Sequence, residues 1–98
     1  MTRVEAPDIT VYTLPWCIHC ARAEALLRRR GLAFREVDGS AMPQFRRRLV
    51  GLTGSSTVPQ IVIDGKPAGG ADRLAGLDRL GVLAAIADGE QYPIAREI

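Results

Sequence analysis

Two thiols carry most of the chemistry this chain can offer. Cys17 and Cys20 are its only cysteines, and they bracket Ile18 and His19 in Cys17-Ile18-His19-Cys20. If Cys17 occupies the N-terminal end of a helix, Cys20 falls one turn further along, within disulfide reach, with the first thiol exposed and the second shielded. At such an end the free N–H groups and the positive pole of the helix dipole stabilise a thiolate, which makes Cys17 the expected nucleophile near neutral pH. The same stabilisation favours the reduced form, so the pair suits an oxidant better than a structural staple. A cross-link closing so short a loop would remove little entropy from the unfolded chain. The competing readings are two buried core thiols and half of a zinc site. A structural zinc wants four ligands, whereas the chain offers two cysteines and one histidine, with His19 wedged inside the loop. No metal is expected.

A pair used in this way has to sit where a strand hands over to a helix, and the flanking residues supply both. Asp8-Ile9-Thr10-Val11-Tyr12-Thr13-Leu14 is β-branched and aromatic between Pro7 and Pro15, which predicts a short strand. From Ile18 to Arg30, Ala23, Leu26 and Leu27 recur at helical spacing while Arg22, Arg28 and Arg29 fall elsewhere, and Gly31 ends the segment. Phe34-Arg35-Glu36-Val37-Asp38 alternates and predicts a second strand, parallel to the first. A second helix is expected over Met42 to Leu52 with Phe45, Leu49 and Leu52 inward, fraying at Gly51 and Gly54. Pro59-Gln60-Ile61-Val62-Ile63, Asp64-Gly65 and Lys66-Pro67-Ala68 predict a hairpin on a type I′ turn, hence a mixed sheet. A last helix is expected from about Ala71 to Ala87 with Leu74, Leu77, Leu80, Leu83 and Ile86 apolar and a kink at Gly81; residues 88–98 read as a tail.

Length and composition bound the class. The chain has 98 residues, 47% of them hydrophobic, enough for one domain with one core over about 9–87. The net charge of +2 is too small to suggest nucleic acid. Met1-Thr2-Arg3-Val4-Glu5-Ala6-Pro7-Asp8 has no apolar leader core, and no stretch approaches the roughly 18 apolar residues of a membrane span. The expected setting is the cytoplasm, whose reducing conditions suit a reactive dithiol. The runs Arg28-Arg29-Arg30 and Arg46-Arg47-Arg48 read as solvated helix faces.

The order strand, Cys-x-x-Cys, helix, strand, helix, Thr57-Val58-Pro59, hairpin, Gly69-Gly70-Ala71-Asp72, helix resembles the glutaredoxins of the thioredoxin-fold superfamily over roughly residues 9–83. That resemblance implies an α/β thioredoxin-like fold, a four-stranded mixed sheet with three main helices, and a cis bond between Val58 and Pro59 facing the cysteines. Carried over by position, Cys17 would be the nucleophile and Cys20 the resolving thiol. Thr57, Val58 and Pro59 would clamp an extended thiol peptide, and Gly70, Ala71 and Asp72 would hold its glutamyl end, aided by the helix N-terminus. Arg46, eleven residues before Thr57, would contact a carboxylate. Several positions depart from the family pattern: Ile18 and His19 replace Pro-Tyr, Leu14 replaces a common lysine, Ser56 a basic residue and Arg73 a second acid. His19 reads either as an exposed loop residue or as a cation supporting the Cys17 thiolate, and Trp16 either as a rim of the substrate surface or as packing.

The activity implied is a glutathione-dependent thiol–disulfide oxidoreductase acting on protein disulfides or glutathione mixed disulfides. Glutathione would be its co-substrate, with no tightly bound cofactor, and the protein would act as a monomer without nucleic acid or membrane partners. Two other readings stand beside it: a redoxin reduced directly by a flavoprotein thioredoxin reductase, and a module holding an iron–sulfur cluster with glutathione.

Overall fold

A computed structural model of the chain describes residues 6–92. Its elements run β1 (Ile9–Thr13), α1 (Ile18–Arg29), β2 (Arg35–Asp38), α2 (Phe45–Thr53), β3 (Gln60–Ile63), β4 (Lys66–Gly69), α3 (Ala71–Arg79) and α4 (Val82–Ala87). The four strands form one sheet in the order β2-β1-β3-β4. β1 and β2 are parallel, as a strand–helix–strand unit requires, and the other two pairings are antiparallel. Three main helices and the short α4 accompany this mixed sheet, the expected architecture.

Period-two alternation decides which face of the sheet is covered. Ile9 stands opposite Ile63 and Val11 opposite Ile61, so four β-branched side chains line one face. Onto them pack Ala23, Leu26 and Leu27 of α1, Leu74 of α3, and Val82, Leu83 and Ile86 of α4, forming one buried cluster. Phe45 and Leu49 are buried apart from that cluster, where α2 meets β3 and β4. Asp64 and Gly65 both have positive φ, 52° and 79°, as a type I′ turn demands.

Four expectations change. α2 begins at Phe45 rather than Met42, because Gln44 is left-handed at φ 55° and a residue before proline, here Met42 before Pro43, is steered away from the helical region. Leu52 is 56% exposed instead of inward. The buried residues of α2 are Phe45 and Leu49, four apart, with half-buried Thr53 continuing the row, which puts Leu52 on its flank. The last helix is not kinked but divided: Gly81, at φ 79°, cannot continue a right-handed turn, and it starts α4 afresh. Leu80 closes α3 outside its buried stripe and is 61% exposed.

The tail differs from expectation, while both arginine runs stay exposed on their helices as expected. Tyr92 is only 9% exposed and belongs to the core cluster, so the chain after α4 folds back onto it. The rest of the expected tail, 93–98, and residues 1–5 of the segment read as lacking a leader core lie outside the described residues. In the first arginine run, Arg28 lies over the Phe34 ring at 5.2 Å, and Arg30 forms a forked pair with Asp78 of α3. Among the described residues no helix is long and apolar enough to cross a membrane.

Candidate redox site

β1 ends at Thr13, and Leu14-Pro15-Trp16 turns the chain before α1 starts. Trp16 adopts the left-handed conformation at φ 63°, and its side chain stands wholly in solvent beside the cysteines. Cys17 is the N-cap of α1, with extended backbone. Its sulfur does what a capping oxygen would do, accepting the Cys20 backbone N–H at 3.1 Å. A helix-end donor thus points at the sulfur on which negative charge develops when the thiol ionises. The Cys17 Sγ lies 4.0 Å from the Val58 carbonyl oxygen, and the Val58–Pro59 peptide bond is cis.

Both cysteines are free thiols in different surroundings: Cys17 is half-buried and Cys20 is 4% exposed. Burial foremost, then the hydrogen bond with Cys17, pushes the Cys20 thiol from its ordinary 9.0 up to about 12. Cys17 is therefore the accessible member and Cys20 the shielded one, the asymmetry that the spacing predicts.

A groove of about 260 Å³ opens beside the pair, between the first turn of α1, the Thr57-Val58-Pro59 segment and the start of α3. It brings together His19, Thr57, Val58, Pro59, Gly70, Ala71 and Asp72. Gly70 makes the close approach possible, since a Cβ there would meet the Pro59 carbonyl oxygen at 3.3 Å. Arg22 and Arg73 also line the groove, and Arg22 donates to Asp72 at 2.8 Å across its mouth. Arg22 was not anticipated, although the signal was available: it stands three residues after His19, on the same side of α1. Arg46 is not among the lining residues; it donates to the Ser56 carbonyl oxygen at 2.6 Å, next to Thr57.

On the other side of the cysteines lies a second cavity, of about 230 Å³, which the motifs did not announce. Cys17, Cys20 and Trp16 share its walls with three carboxylates, Glu24, Glu36 and Asp38. Glu24 is 8% exposed, and its Oε2 has no hydrogen-bond partner among the described residues. Burial, then a hydrogen bond to Glu36, pushes its carboxyl from 4.5 up to about 7, with Arg28 pulling the other way. Its place in the sequence was the available sign: a carboxylate four residues after Cys20, inside the stripe Ala23, Leu26, Leu27. Among the described residues no group of three or more His, Cys, Asp or Glu side chains is arranged to hold a metal ion.

The glutaredoxin family model matches residues 9–68. The chain is 42% identical over 80 residues to a glutaredoxin of Pseudomonas aeruginosa, covering 82% of this chain and 95% of that one. It is 41% identical over 78 residues to glutaredoxin 3 of Escherichia coli, covering 78% and 92%. Among solved structures, the glutaredoxin of Brucella melitensis superimposes with a TM-score of 0.71 at 42% identity, covering 82% of this chain and 87% of that one. A buckwheat glutaredoxin–glutathione complex superimposes with a TM-score of 0.75 at 25% identity, covering 84% and 77%. The matched segment runs from the strand that delivers Cys17 to the hairpin that follows the cis proline, so sequence and architecture agree on the same parts in the same order, and the chain belongs to the glutaredoxin family.

Proposed function

We propose that the protein is a glutathione-dependent thiol–disulfide oxidoreductase of the cytoplasm, acting as a single-domain monomer on protein disulfides or glutathione mixed disulfides. The observation that carries this reading is the placement of Cys17: its sulfur caps α1, accepts the Cys20 N–H at 3.1 Å, and stands 4.0 Å from the Val58 carbonyl at the edge of the groove. A thiol peptide lying extended along Thr57 and Val58 would bring its own sulfur to Cys17. At its glutamyl end the α-ammonium would then reach Asp72, and the α-carboxylate the N–H groups that open α3. That the buckwheat relative was solved with glutathione supports the choice of thiol peptide.

In the proposed cycle the Cys17 thiolate attacks a substrate sulfur, forming a mixed disulfide and releasing the other half as a thiol. Cys20 or a second glutathione then resolves that intermediate. The exposed Trp16 and Ile18, on either side of Cys17 in sequence, offer apolar surface to a protein substrate. His19 acts as groove wall, given its place in the lining.

The test is disulfide reduction with electrons supplied either by glutathione and its reductase or by thioredoxin reductase. Wild type is expected to turn over with glutathione, Cys17→Ser to lose activity with either donor, and Cys20→Ser to keep deglutathionylation while losing reduction of protein disulfides. Activity retained by Cys17→Ser would sink the mechanism. Turnover with thioredoxin reductase alone would replace glutathione as the electron donor. A brown chromophore after anaerobic purification would support a cluster-binding role instead.

A further inference from the structure

Resolution of the mixed disulfide sets a proton problem. Cys20 must attack as a thiolate, yet burial is the largest cause holding its thiol up to about 12, and that cause persists when Cys17 is tied up in a mixed disulfide. At neutral pH such a thiol is ionised to only about one part in 10⁵, each pH unit being a factor of ten. Little of Cys20 reaches solvent, since the residue is 4% exposed.

Glu24 is the side chain placed to meet this need. It lies four residues after Cys20 on α1, hence on the same face one turn below, and both line the 230 Å³ cavity. Its charge already bears on the Cys20 thiol. It is buried, and its Oε2 is unpartnered among the described residues, so a proton-accepting lone pair is left over. The other groups facing it are accounted for: Arg28 on its own helix, Cys17 at the helix start, and Glu36 and Asp38 from β2. Glu36 is exposed and hydrogen-bonds Glu24. Asp38 accepts the Ser40 N–H at 2.8 Å, which holds its carboxyl below the ordinary range and makes it a poor base.

We infer that Glu24 is the proton acceptor for Cys20 in the step that resolves the mixed disulfide, an assignment that rests on the exchange chemistry proposed above. The Cys20 S–H proton passes to the Glu24 carboxylate, directly or through a water, for which the cavity has room. The freed electron pair forms the bond from the Cys20 sulfur to the Cys17 sulfur as the mixed disulfide bond breaks. The departing group leaves as a thiolate and takes a proton from solvent, while Glu24 returns its proton through the cavity mouth. Cys17 and Cys20 are together oxidised by two electrons, and the substrate disulfide is reduced to two thiols. With its carboxyl near 7, Glu24 is half ionised at neutral pH, which suits a group that must both accept and release a proton.

The aromatic disulfide dithiobis(nitrobenzoate) separates the two steps, because each releases one coloured thiolate. The first burst reports attack by Cys17, and the second reports resolution by Cys20. In wild type the second phase is expected to rise with pH through an inflection near 7 and then level off. In Glu24→Gln it is expected to be slower at neutral pH by on the order of 10²-fold and to climb without levelling up to about pH 9, while the first phase is unchanged. An identical second-phase profile in Glu24→Gln would overturn the inference. Glu36→Gln retains the acceptor but removes the neighbour that raises it, so its inflection moves to lower pH. This variant carries the test should Glu24→Gln fail to fold, and an unmoved inflection would likewise overturn it. Absence of the first phase in wild type would instead overturn the nucleophile assignment on which the relay depends.

Discussion

Asp72 and Arg22 meet at 2.8 Å across the mouth of the groove, and both side chains remain largely in water. In the proposed complex Asp72 faces the ligand's ammonium, so Arg22 and the ligand compete for one carboxylate. An exposed charge contact of this kind is worth up to about 1 kcal/mol. Asp72→Asn is therefore expected to raise the KM for glutathione about two- to fivefold with kcat nearly unchanged, the pattern of lost ground-state binding. Steady-state kinetics at varied glutathione checks it, and a fall in kcat at constant KM would place Asp72 elsewhere in the cycle. The Arg46 guanidinium donates to the Ser56 carbonyl beside Thr57. Arg46→Ala is expected to raise the glutathione requirement by loosening the Thr57 backbone, and Arg46→Lys to restore part of it; an unchanged dependence in Arg46→Ala would remove this residue from the site.

α1 is held on two sides by contacts of opposite character. Toward α3 it is stapled by Arg22–Asp72 near the site and by Arg30–Asp78 at its far end, the latter forked at 2.6 and 2.9 Å. Arg30 holds the Asp78 carboxyl below its ordinary 3.8. Its contribution is therefore complete above that value and lost as pH falls through the lowered one. Asp78→Asn is expected to cost about 1 kcal/mol at neutral pH, or roughly 4–8 °C in Tm, and to converge with wild type in strong acid. Toward β2 the contact is Glu24 against Glu36, and the sign reverses. A carboxyl raised from 4.5 to about 7 binds its proton more tightly in the fold, so stability falls as pH rises across that interval. Glu24→Gln is expected to leave stability unchanged near pH 4 and to raise it by up to about 3 kcal/mol above pH 8, since each pH unit of that interval is worth about 1.36 kcal/mol. Urea unfolding at the two pH values reads this independently of catalysis, and equal stabilities at both would mean that Glu24 is not held protonated by the fold.

At the scale of the molecule, the start of α1 divides two clefts, a mixed-charge groove toward α3 and a carboxylate-lined cavity toward β2. The first was legible in the sequence through the glutaredoxin resemblance, whose motifs Cys-x-x-Cys, Thr-Val-Pro and Gly-Gly-x-Asp name its walls, and the topology brings most of those walls together. The second was not, because Glu24 and Glu36, on α1 and β2, meet only in the folded chain, and neither stands in a motif. Helix boundaries failed for a related reason, since apolar spacing ran on through Leu80 and Gly81 although a left-handed glycine resets the helix there. Nor does any periodicity lead to Tyr92, which is buried by a return of the chain onto the core. Leu80 and Tyr92 give a paired prediction. Tyr92→Ala empties an aromatic site in the main cluster and is expected to cost about 3 kcal/mol, near the range for buried aromatic truncation. Leu80→Ala removes a larger share of the apparent apolar pattern, yet its side chain stands mostly in water, and it is expected to change stability by less than about 0.5 kcal/mol. Thermal melts of both variants decide between pattern and position: comparable losses would mean that α3 and α4 behave as one continuous amphipathic helix after all, and a loss confined to Tyr92→Ala would make the closing turn, and not the leucine repeat, what seals this end of the core.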